Sequence, residues 1–282
     1  MIKRRFLICC ALLALLASAC GENDSAMEGY GSTNIGTSGS QDFGYPRGTI
    51  EAGGIPRSSD FDAQGFFSEH VTSLPPADCG ELMCVHGMLG VMGNLINGGD
   101  CVVLQVGLNS PASVDSLPNL PLNLAVVVDV SGSMEGRNLE FVQAGLHTML
   151  DSLEDNDVLS LVSYSDSATT LISHARVGDS RHLIRDAIDG LIPNGGTNLY
   201  GGLLAGYDAV EEVQSSEYQN RVILLTDGIP TAGLTGTSDI VGMSTQHNDR
   251  GVGLTTVGVG ADFGFELMET LASQGGGNFY FV

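Results

Sequence analysis

Three separated segments carry the side chains that could do chemistry. Asp129-Val130-Ser131-Gly132-Ser133 sets a carboxylate and two hydroxyls at alternate positions. Asn194-Gly195-Gly196-Thr197-Asn198 places a third hydroxyl after two glycines, which let a backbone bend close to a shared point. Thr226-Asp227-Gly228 adds a second carboxylate. Asp129, Ser131, Ser133, Thr197 and Asp227 are all hard oxygen donors, with neither thiolate nor imidazole among them, and such a set suits Mg2+, Mn2+ or Ca2+. Two carboxylates balance one divalent charge, and neutral hydroxyls leave the ion electrophilic. Few protein charges, with waters retained, favour Mg2+ or Mn2+ over a dedicated Ca2+ cage. Taken singly, each segment has a plainer reading: a turn with a helix cap, a glycine loop, a strand-ending turn. Only their joint occurrence points to an ion.

Short apolar runs alternate with helical patterns from Leu122 onward. Leu124-Ala125-Val126-Val127-Val128 is continuously apolar, as a strand covered on both faces should be. Leu139, Val142, Leu146, Met149, Leu150 and Leu153 recur at helical spacing. Further strands are expected at Val158–Tyr164, Ala168–Ile172, Val222–Leu225, Leu254–Val259 and Phe279–Val282. Helices are expected around Leu183–Leu191, Leu199–Val213 and Phe263–Leu271. This alternation predicts an α/β fold: a doubly wound, mostly parallel central sheet flanked by helices. Asp129 and Asp227 then lie beyond the carboxyl ends of two strands, where open parallel sheets bind ligands.

These residues resemble the von Willebrand factor A domain and its metal-ion-dependent adhesion site (MIDAS). The matching pieces are Asp129-Val-Ser131-Gly-Ser133, Gly195-Gly196-Thr197-Asn198, Thr226-Asp227-Gly228 and Gly258-Val259-Gly260, and the resemblance covers about residues 122–282. It implies that Ser131, Ser133 and Thr197 coordinate the ion, and that Asp129 and Asp227 bind it directly or through water. It also implies that an acidic side chain of a protein partner completes the shell. The family domain usually ends in a further helix after the last strand, whereas the sequence stops at Val282. A chain shortened at its C-terminus is expected to show a hydrophobic surface near Phe279-Tyr280-Phe281.

Composition narrows the partners. The chain has 282 residues, 33 Asp+Glu and 11 Lys+Arg, for a net charge of −22. So acidic a surface repels nucleic acid and offers no polybasic grip on anionic lipid. Enzyme motifs are lacking. The sequence holds no Gly-x-x-x-x-Gly-Lys, His-Glu-x-x-His or Gly-x-Ser-x-Gly segment, and its six histidines show no ligand spacing.

The N-terminus reads as an export signal. Lys3, Arg4 and Arg5 precede an apolar run from Phe6 to Leu16, too short for a membrane span of about 20 residues. Ala17-Ser18-Ala19-Cys20 resembles a lipobox, in which Cys20 is lipidated, and it also fits an ordinary small-x-small cleavage site followed by secretion. Removal of residues 1–20 takes away the only lysine. Residues 21–65 read as a flexible Gly/Ser-rich linker. Residues 66–121 read as a small cysteine-containing pre-domain. It carries a strand at Cys101–Leu108 and apolar packing by Met83, Met88, Leu89, Met92 and Leu95. Export permits disulfides, and Cys79, Cys84 and Cys101 leave the pairing open.

The resulting expectation is a binding module rather than an enzyme. It would be a lipid-anchored protein of the bacterial cell envelope, more in keeping with an outer than an inner membrane, that grips a protein partner through Mg2+ or Mn2+. The alternatives are an assembly factor with a vestigial metal site and a metal-dependent hydrolase using the ion as a Lewis acid.

Overall fold

The computed structural model describes residues 49–51, 53–57, 73–93, 99–112, 120–260 and 264–281. The segment expected to be an export signal, with Cys20, nearly all of the expected 21–65 linker, and Leu95 lie outside the described residues.

The central sheet has six strands in the order β5-β4-β3-β6-β7-β8. They are β3 (Leu122–Asp129), β4 (Val158–Tyr164), β5 (Ala168–Arg176), β6 (Gln219–Thr226), β7 (Gly253–Gly258) and β8 (Phe279–Phe281). All neighbours pair in parallel except β5, which runs antiparallel to β4. Helices α1 (Arg137–Ser152), α2 (Val177–Asp189), α3 (Leu199–Glu211), α4 (Thr237–Asp249) and α5 (Phe265–Gln274) accompany this sheet. This is the α/β, doubly wound, mostly parallel arrangement that the sequence predicts.

β3 is the central strand, and its residues from Asn123 to Asp129 are all buried. Alternation divides it between two cores. Ala125 and Val127 face Leu203, Tyr207 and Val210 of α3, while Leu124, Val126 and Val128 join Leu139, Leu146 and Leu150 of α1. α3 lies especially close to the sheet. A Cβ on Gly202 would fall 2.5 Å from the Tyr164 ring, and one on Gly206 would fall 2.3 Å from Val127 Cγ2. Two missing side chains thus let the α3 N-terminus, and Thr197 just before it, sit over the ends of β3 and β4.

α4 is the one central-domain helix the apolar pattern does not announce. Its buried positions, Ile240, Met243, Ser244 and His247, keep helical spacing, but two of the four are polar and break the hydrophobic signal. The expected hydrophobic surface at the C-terminal strand is not seen at Phe279, which is 1% exposed and meets Phe265 edge to face at 5.2 Å.

β1 (Cys84–Gly93) and β2 (Asp100–Asn109) pair antiparallel in a two-stranded sheet, with Cys84 opposite Asn109 and Gly93 opposite Asp100. The strand expected near Cys101–Leu108 is β2. The apolar packing expected of Met83, Leu89 and Met92 is corrected: Leu89 and Met92 lie on β1, Met83 just before it, and all three are exposed. Gly87, Gly90 and Gly93 had hidden the strand, because glycine weakens a strand pattern. A disulfide joins Cys79 to Cys84, and Cys101 is free. No helix among the described residues is long and apolar enough to cross a membrane.

Candidate functional site

The site is built where β3 and β6 end side by side. Asp129 is the last residue of β3 and pairs in register with Tyr164 of β4. It is fully buried, and three donors hold its carboxylate. The Ser131 backbone N–H donates to Oδ1 at 2.8 Å, the Thr226 hydroxyl to Oδ2 at 2.5 Å, and the Tyr164 hydroxyl to Oδ2 at 3.2 Å. Burial nonetheless lifts the Asp129 carboxyl above its ordinary value, and the hydrogen bonds from Thr226 and Ser131 only partly oppose this. The charge of Asp227 adds to the rise. Burial, and next the charge of Asp129, push the Tyr164 hydroxyl well above the usual phenol value, which keeps it a donor. A carboxylate buried among neutral donors, with a second carboxylate beside it, is an arrangement that a cation would relieve.

Ser131 and Ser133 follow on a short 3-10 turn, Gly132–Met134, that leads into α1. Their hydroxyl oxygens are 3.1 Å apart. Ser133 Oγ donates to Asp227 Oδ1 at 2.7 Å, and the Asn138 side-chain amide donates to Asp227 Oδ2 at 3.0 Å. Both oxygens of Asp227 therefore engage the segment that follows β3.

Thr197 arrives on the loop before α3. Asn198 caps that helix, its side-chain oxygen accepting from the Gly201 N–H at 3.0 Å. Gly195 adopts φ +66°, and a Cβ there would lie 2.4 Å from Asp166 Oδ2, so the position favours glycine on both counts. The loop is tied to the Asp129 segment by two backbone bonds: Gly132 N–H to the Gly195 carbonyl at 3.0 Å, and Asn194 N–H to the Val130 carbonyl at 2.6 Å. It is tied to the segment after β6 by Thr197 N–H donating to Thr231 Oγ1 at 3.0 Å and by Thr231 N–H donating to the Thr197 carbonyl at 3.0 Å. Asp166 braces it from the β4–β5 turn, accepting from the Gly196 N–H at 3.0 Å.

Ser133, Thr197 and Asp227 line one cavity of about 450 Å³, together with Asn138, Gly228 and Thr231. Thr197 Oγ1 and Asp129 Oδ2 both face Gly228, at 3.5 and 3.9 Å from where its Cβ would stand. The five oxygen-bearing residues singled out from sequence thus lie around the adjoining ends of β3 and β6. Sequence reasoning gave no role to Tyr164, Asn138, Thr231 or Asp166. Thr226 was part of a quoted motif, and Asp166 sits in a turn beside a strand, so both were within reach of inspection. Asn138 is inside a helix and Tyr164 inside a strand, where nothing local marks them. Among the described residues no group of three or more His, Cys, Asp and Glu side chains could hold a metal. The cluster at the ends of β3 and β6 brings together two carboxylates, and its other side-chain oxygens are hydroxyls.

Comparison with known proteins agrees with the fold. The family described as von Willebrand factor type A domain matches residues 123–282. Inter-alpha-trypsin inhibitor heavy chain H4 of Bos taurus is 32% identical over 176 residues, covering 58% of this chain and 19% of that protein. Protein YfbK of Escherichia coli K12 is 31% identical over 163 residues, covering 57% of this chain and 28% of that protein. The match therefore spans less than a third of either relative. A solved von Willebrand factor type A structure from Catenulispora acidiphila superposes with a TM-score of 0.52 at 19% identity, covering 64% of this chain and 41% of that one.

Proposed function

Since the chain belongs to the von Willebrand factor type A family, we propose that it binds a protein partner through a divalent ion held by Asp129, Ser131, Ser133, Thr197 and Asp227. Proteins with this domain typically mediate protein–protein interaction. The observation that carries the finer reading is the convergence of Ser133, Thr197 and Asp227, from three separate segments, on one cavity. Their donors fit Mg2+ or Mn2+ better than Ca2+, because two carboxylates and three hydroxyls are too few charges for a Ca2+ cage. Bound there, the ion supplies an electrophilic anchor for a carboxylate of the partner. Among the described residues the lining is hydroxyls, one amide and one carboxylate beside glycine and apolar side chains, a donor set suited to holding an ion.

The basic and apolar residues before Cys20 extend the reading to an exported envelope protein anchored by lipid at Cys20, with residues 21–65 as its tether, residues 66–121 as a pre-domain carrying the paired strands β1 and β2, and residues 122–282 as the binding domain. Immobilised chain should retain envelope proteins in Mg2+ and release them in EDTA, and the Thr197→Ala variant should retain none of that fraction. Retention indifferent to EDTA and to the substitution contradicts the proposal.

A further inference from the structure

Asn138 is the second residue of α1, a position where asparagine is a mediocre helix former. Its half-buried side chain turns to the strand ends instead of to solvent. Nδ2 donates to Asp227 Oδ2 at 3.0 Å and reaches the Ser133 carbonyl at 3.5 Å. Gly260, at φ +78°, gives it room: a Cβ there would stand 3.3 Å from Nδ2 and 3.5 Å from Oδ1. The preceding residue, Arg137, carries a full positive charge but sends its guanidinium over the Phe141 ring, 5.5 Å from the centroid. So the neutral side chain meets Asp227 and the cationic one is directed elsewhere.

We propose that Asn138 is a positioning residue for the ion site: it fixes one oxygen of Asp227 by a neutral hydrogen bond, so that the carboxylate is oriented without its charge being cancelled. The inference rests on the divalent-ion reading above. A lysine in this place would orient Asp227 equally well, but it would leave the cluster with one net negative charge instead of two and so compete with the incoming ion. An aspartate would do the opposite. It would forgo the hydrogen bond and add a third carboxylate, the donor type that favours Ca2+.

The test is calorimetric titration of Mn2+, Mg2+ and Ca2+ into the wild type, N138A, N138K and N138D, with melting of the metal-free proteins alongside. The expected result is a Mn2+ affinity at least tenfold weaker in N138K and a few-fold weaker in N138A. In N138D the preference should shift toward Ca2+. Metal-free melting should vary little across the series. A purely structural role would move the melting temperatures and would not give opposite effects for opposite charges. Should N138K fail to fold, N138A and N138D decide. Equal Mn2+ affinity in the wild type and every folded variant overturns the role of Asn138 while leaving the ion site standing. A wild type that binds none of the three ions overturns both.

Discussion

Ser133 Oγ donates to Asp227 Oδ1 across 2.7 Å, although the two residues stand 94 positions apart in the chain. The bond joins the turn after β3 to the end of β6, two strands that are hydrogen-bonded neighbours. A hydroxyl bonded to a carboxylate is among the stronger hydrogen bonds. Here it holds a candidate ligand pair in place just past the ends of two hydrogen-bonded strands.

Loss of Asp227 should therefore remove ion-dependent stability. An ion bound only by the folded state adds about 2.7 kcal/mol at a hundredfold excess over Kd. Melting of the wild type should rise on adding Mn2+, and melting of Asp227→Ala should not. Equal shifts in both proteins would place the ion elsewhere.

Gly206→Ala tests how tightly α3 is held against the sheet. The added methyl would lie 2.3 Å from Val127 Cγ2, in the fully buried central strand. Alanine gains about 1 kcal/mol in helix propensity, but overpacking costs about 1–3 kcal/mol. Valine is stiff at χ1 and cannot turn aside, so the clash should win. The urea midpoint is expected to fall with an unchanged slope. A rise in the midpoint would mean the helix stands further off.

Asn198→Ala removes the side-chain oxygen that accepts from Gly201 and the amide that donates to the Asp166 carbonyl at 3.1 Å. Loss of such a cap costs about 1 kcal/mol. Because Thr197 precedes the cap directly, weaker Mn2+ binding should accompany the lower stability. Stability lost with ion affinity intact would show that the cap does not position Thr197.

Tyr207→Phe gives a pH signature remote from the site. Burial pushes the Tyr207 hydroxyl up to about 12 from an ordinary 10.0, opposed by its hydrogen bond to Ser244 Oγ at 3.2 Å. The folded state thus keeps this proton after the unfolded chain has lost it. Between pH 10 and 12 the unfolded state binds fewer protons, so wild-type stability should fall as pH rises through that window. Tyr207→Phe should lack this component of the fall, while losing about 1 kcal/mol at neutral pH with the hydrogen bond. Parallel alkaline profiles for the two proteins would contradict the assignment.

Most of the central domain was legible in the sequence because its elements depend on burial. β3 is covered on both faces, so Leu124–Val128 reads as one apolar run, and α1 buries one stripe at helical spacing. α4 escaped because Ser244 and His247 occupy buried positions. His247 does so by stacking on Tyr207 at 3.9 Å and pairing with Glu211 at 2.7 Å, neither of which a local pattern reveals. β1 escaped because its glycines and exposed apolar residues fit no simple alternation. At the site, Asp129, Ser131, Ser133, Thr197 and Asp227 were visible as types at telling spacings. Asn138 and Tyr164 were not, since what brings them in is the start of α1 lying beside the end of β6 and the parallel register that sets Tyr164 of β4 opposite Asp129. That is a property of the assembled sheet.

The account rests on one divalent ion shared by three loops. Crystals of residues 122–282 soaked in Mn2+ would show the ion directly by its anomalous scattering. The account predicts a single strong peak bounded by the hydroxyls of Ser131, Ser133 and Thr197, with Asp129 and Asp227 beside it. A peak that leaves Thr197 out, or no peak at this place at saturating Mn2+, would contradict it.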